Sequence, residues 1–88
     1  MLSNNAGGTI TNSGGTIANS GAFSTDSAAT INNSSGTIEN DGTMNDFGNI
    51  TNSGTIKNSG TINNHCSAQI SGNPVNNSGP GTVNNPCP

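Results

Sequence analysis

Few residues in this chain could do chemistry, and two of them are adjacent: His65-Cys66, with Cys87 as a third candidate ligand. Structural zinc sites use four N or S ligands at recognisable spacings, commonly CxxC with a further Cys or His pair. Neither spacing occurs here, so no metal site is expected. Asp41 and Asp46 are a candidate carboxylate pair, flanking the second coil's third side. General acid–base work by such a pair needs a pocket to hold substrate between them. Asp41 sits beside Gly42, in turn-forming context. Serines are plentiful, but a nucleophilic serine needs a base held by an acid, and the lone His65 adjoins a cysteine instead. The glycine-rich stretches lack the lysine of a phosphate-cradling GxxxxGK[ST] loop. No catalytic residue and no cofactor is expected, and the chain is read as a non-enzyme.

Composition narrows the classes further. The 88 residues leave room for one domain, 1–88. Hydrophobic residues make up 26%, which by itself suggests a disordered chain. Disordered chains are usually rich in charge, however, and only 6% of these residues are charged. With 18 Asn and 13 Gly, the chain suits a stacked, hydrogen-bonded architecture better than solvated coil. One cation, Lys57, and a net charge of −3 argue against nucleic acid and anionic membrane surfaces as partners. No apolar run is long enough to cross a bilayer, and the opening MLSNNAGG has no signal-peptide core.

The positioning elements come from a repeat. In NITNSGTIKNSGTINN, residues 49–64, isoleucine returns every six residues at Ile50, Ile56 and Ile62, each followed two places later by Asn. Six is neither the helical period nor strand alternation. Twelve such anchors fall into three columns: Ile10, Ile31, Ile50, Ile70; Ile17, Ile38, Ile56, Val75; and Phe23, Met44, Ile62, Val83. Members of a column recur about every 19–21 residues. That predicts an all-β fold, a three-sided β-solenoid (β-helix) of about four coils spanning roughly 7–27, 28–47, 48–66 and 67–88. Six-residue spacing argues for a left-handed coil, the insertions and Asn columns for a right-handed one; both stay open.

Other columns agree. Two residues before the anchors stand small residues, mostly Gly, as at Gly8, Gly36 and Gly60, read as corners where positive φ is free. Two residues after them stand Asn12, Asn33 and Asn52, then Asn19, Asn40, Asn58 and Asn77. The third side has Thr25, Asp46, Asn64 and Asn85. Strand alternation places these on the anchor's face, so amide ladders are expected up the columns. Glu39 and Lys57 each follow a second-side anchor by one residue, which predicts an outward ion pair between coils. Cys66 and Cys87 each lie four residues past a third-side anchor and should stack within disulfide range. A Cys66–Cys87 bond would staple the proline-rich last coil, since Pro74, Pro80, Pro86 and Pro88 all lie there. Proline blunts a sheet edge; the N-terminal edge has no such device and invites another subunit. Asn32, Asn33, Asn49 and Asn76 open N-x-S/T sequons, with Asn32 and Asn76 facing out.

The frame GTIKNSGTINN, with GTITNSGGTIANSG upstream, resembles the N-x-G-T-I repeats of microbial surface proteins over roughly residues 7–85. These include the β-solenoid passengers of autotransporter and haemagglutinin-like adhesins and related extracellular fibre proteins. The resemblance implies an extracellular or cell-surface location. The leading expectation is a structural subunit that self-assembles, as its own partner, into an extracellular filament or surface matrix. The alternative is an adhesin or phage-fibre segment that binds surface glycans. A third reading is ice binding: Thr9-Ile10-Thr11 resembles the T-x-T ranks of antifreeze proteins, although no side carries an unbroken double rank.

Overall fold

A computed structural model describes residues 2–65 and 68–84. All described regular structure is short strand, three to four residues long apart from one of two. The cause is local: most segments alternate an outward polar residue with an inward apolar or amide one, as in Thr37-Ile38-Glu39-Asn40. A small residue then lets the chain turn before the next alternation begins.

The strands sort into three parallel sheets, one per side of a prism. The first side stacks β2 (Thr9–Asn12), β5 (Thr30–Asn33), β8 (Asn49–Asn52) and β11 (Gln69–Gly72). The second stacks β3 (Thr16–Asn19), β6 (Thr37–Asn40), β9 (Thr55–Asn58) and β12 (Asn76–Asn77). The third has β1 (Leu2–Asn4), β4 (Ala22–Thr25), β7 (Thr43–Asp46), β10 (Thr61–Asn64) and β13 (Thr82–Asn84). This is the expected three-sided β-solenoid of about four coils. The pairings run Ile10–Ile31–Ile50–Ile70, Ile17–Ile38–Ile56 and Phe23–Met44–Ile62–Val83, as the columns require.

The core is a single file per side. Phe23, Ile31, Ile38, Met44, Ile50, Ile56 and Ile62 are fully buried and form one cluster. Ile10, Ile17, Ile70, Val75 and Val83 pack on it only partly buried, because each lacks a coil on one flank. Val75 precedes its strand instead of lying inside it. Pro74, with no N–H to give, stands where the ladder would have begun.

Two expectations need correction. The N-terminal edge does not begin with the coil at residue 7. Leu2, Ser3 and Asn4 pair with Phe23, Ser24 and Thr25, adding a fifth strand to the third side. The glycine column also has another cause than positive φ. Among the described residues, positive φ occurs at Gly7, Gly14, Gly72, Gly79 and Ala28, none of them in the two-before-anchor column. In the column itself the reason is close approach. A Cβ on Gly42 would press into the Gly21 carbonyl oxygen, and one on Gly60 into that of Gly42. Gly21, with nothing beneath it, would meet no atom within 4 Å. At Gly42 and Gly60 coil rests on coil, and the corner leaves no room for a methyl group.

Candidate functional site

The polar groups that this winding brings together are amides first. Asn12 Nδ2 donates to Asn33 Oδ1 at 2.9 Å, and Asn33 Nδ2 to Asn52 Oδ1 at 2.8 Å. On the second side, Asn19, Asn40, Asn58 and Asn77 form the same chain at 2.8, 2.9 and 2.9 Å. The ladders also close corners: Asn40 Nδ2 reaches the Gly42 carbonyl at 3.2 Å and the Thr61 carbonyl of the next coil at 3.0 Å. Asn33, Asn40, Asn52 and Asn58 are fully buried, so these bonds satisfy groups that water cannot reach. The first-side ladder ends at the backbone, with Asn52 Nδ2 donating to the Asn73 carbonyl at 3.0 Å. Gly72 occupies the ladder position in that strand and offers no amide side chain.

The third column differs. Thr25, Asp46 and Asn64 line up in register, but Asp46 interrupts the amide chain. Its Oδ1 accepts the Gly48 N–H at 3.1 Å, while Oδ2 and the Thr25 hydroxyl are buried without a partner. Burial pushes the Asp46 carboxyl up to about 7, and the Gly48 hydrogen bond offsets only part of that. Asn4, 21 residues before Thr25, extends this column downward and is buried; its Nδ2 donates to the Thr30 carbonyl at 3.0 Å. Subtracting one period from Phe23 and Thr25 finds Leu2 and Asn4, although the Gly-Thr-Ile frame does not.

A second ladder stands on the outside of the third side. Asn63 Nδ2 donates to Asn45 Oδ1 at 2.9 Å, and Asn84 Nδ2 to Asn63 Oδ1 at 3.3 Å. Its sequence signal is the residue following each third-side anchor. At the adjoining corner, Phe47 stacks on His65 with ring centroids 4.0 Å apart and planes within 6°. Both follow their anchors by three residues.

Glu39 and Lys57 are register partners on β6 and β9, as expected. Among the described residues no ion pair joins them; two long exposed side chains gain little from being held together in water. Cys66 and Cys87, with their expected disulfide, lie outside the described residues, as do Asn85, Pro86 and Pro88. Of the sequon asparagines, Asn33 is buried in its ladder, whereas Asn49 and Asn76 are exposed. No concave pocket opens among the described residues. No family model, curated protein or solved structure matches this chain.

Proposed function

We propose that the chain is a non-catalytic structural subunit that assembles with copies of itself into an extracellular filament or surface matrix. The observation that supports this is the one-way polarity of the inner ladders. Asn12, Asn19, Asn33, Asn40, Asn52 and Asn58 all donate toward the C-terminal coil, so at the other end Asn12 and Asn19 turn carbonyl oxygens toward an edge that has no donor beneath it among the described residues. The opposite end offers backbone and amide groups of β11, β12 and β13. Half-buried anchors sit behind each edge: Ile10 and Ile17 at one, Ile70, Val75 and Val83 at the other. A head-to-tail contact brings unlike edges together and repeats without closing, which is the geometry of a filament.

Electron microscopy and sedimentation of the concentrated chain test this reading. Fibres should form, with a subunit repeat along the coil axis, and charge-bearing substitutions at Ile10 and Ile17 should suppress them. Stable monomers across salt and pH would refute it.

A further inference from the structure

We propose that copies of this chain join end to end with each turned by about one third of a revolution about the coil axis. The first strand of one copy then continues the winding of the last strand of its neighbour. This rests on the self-assembly reading above and fixes the symmetry of the joint. The geometry behind it is a strand count. The described strands number thirteen, divided four, four and five among the three sides. Thirteen is four laps and one side over.

That extra side decides how two ends can meet. One end of the prism presents β1, β2 and β3, each paired on one flank only; the other presents β11, β12 and β13 in the same way. Three strands make a lap, so each stands about one third of a strand spacing further along the axis than the one before it. A second copy set on the first without rotation fails in one of two ways. Bringing β2 onto β11 and β3 onto β12 puts β1 in the place that β13 already fills. Lifting the copy until β1 clears β13 leaves a strand-wide slot open on the first and second sides. Turned by one side in the direction of winding, the copy sets β1 on β11, β2 on β12 and β3 on β13. No strand is displaced and no slot remains.

The side chains at this joint agree. Anchor over anchor, the register the chain uses throughout, Leu2 meets Ile70, Ile10 meets Val75 and Ile17 meets Val83. Leu2 is 42% exposed, and the other five are the partly buried members of the core, so one joint covers all six. On the second side Asn77 accepts from Asn58 at 2.9 Å, but its own Nδ2 donates to no group among the described residues. It comes to stand beneath Asn12, which donates three times while its Oδ1 accepts from no described residue. The amide ladder then runs on from copy to copy. None of the six meeting strands carries a charged residue, so nothing repels across the joint.

Helical reconstruction of the fibres from electron micrographs tests this. Neighbouring subunits should be related by about one third of a turn and a rise of about 21 Å, thirteen thirds of the strand spacing. Any other rotation, including none, overturns this inference and leaves self-assembly standing; a rise of about 19 Å without rotation would identify a displaced β1. Absence of fibres overturns both. Leu2→Asp gives an independent readout, because Leu2 lies in the joint only if β1 keeps its place. It should raise the concentration at which fibres form about tenfold or more, with the circular dichroism of the monomer unchanged. Assembly of that variant at the parent concentration, or below it, would also overturn the inference.

Discussion

The first two sides and the third side of the prism build the same inner column from different residues, and only the first two build it well. Asparagine carries a donor and an acceptor on one planar group, so a stack of identical amides at strand spacing satisfies itself indefinitely. Each Nδ2 of the second-side column passes one bond upward and uses its remaining capacity on corner carbonyls. Threonine and aspartate cannot continue this chain. An ionised carboxylate accepts only, and the Thr25 hydroxyl below Asp46 is buried without a partner. The lesson is that the ladder depends on self-complementarity more than on polarity. A solenoid with so thin an apolar core needs its buried polar groups paired, because an unpaired one costs about 1–3 kcal/mol.

The sharpest way to break the comparison is to remove an amide from the middle of a good column. Asn40 accepts from Asn19 at 2.8 Å and donates to Asn58 at 2.9 Å, to Gly42 at 3.2 Å and to Thr61 at 3.0 Å. Asn40→Ala removes bonds to groups on three successive coils and leaves the buried Asn58 Oδ1 without its donor, in a site that water does not reach. Destabilisation of about 4 kcal/mol is expected, a large share of the stability of a domain this size. Urea unfolding followed by circular dichroism measures it. A loss below about 1 kcal/mol would mean that the ladder is ornament and the backbone sheets alone hold the coil.

The corners offer a second contrast, between coils with and without a floor. Gly60 lies over the Gly42 carbonyl, the same oxygen that Asn40 bonds, and an added methyl group would force the two coils apart. Gly60→Ala should cost about 3 kcal/mol. Gly21→Ala meets open space and should change stability by less than about 0.5 kcal/mol. Equal effects at the two positions would show that chain conformation, and not coil contact, selects glycine.

How far the sequence discloses this structure follows from what sets each feature. Anchor columns and inner ladders are legible because strict alternation and a 19–21-residue period leave one register for Ile31, Ile50, Asn33 and Asn52. The strand Leu2–Asn4 escapes the Gly-Thr-Ile frame because it carries Leu at the anchor position and no Gly-Thr before it. The Glu39–Lys57 register is readable but the ion pair is not, since side-chain freedom in water decides it. The Phe47–His65 stack is hidden by the uneven corners: loops of different length separate anchors from the next strand. Position past the anchor identifies the pair; distance to the following strand does not.

A smaller effect than at Asn40 or Gly60 sharpens the contrast most directly, by repairing the weak column. Asp46 has its carboxyl raised from 3.8 to about 7 by burial. The folded protein therefore holds a proton that the unfolded chain gives up, and linkage fixes the sign. The stabilisation is fully present below about pH 4, where both states are protonated, and drains away as pH rises to about 7. Asp46→Asn removes the charge while keeping shape and the acceptor for Gly48. At pH 8 the variant should be more stable than the parent chain by about 2 kcal/mol, after allowance for screening near the corner. At pH 3 the two should unfold together. Chemical denaturation across that range decides it: a parent profile flat from pH 4 to 8 would show that water or a neighbouring donor already satisfies Oδ2, and the third column would then be as well paired as the other two.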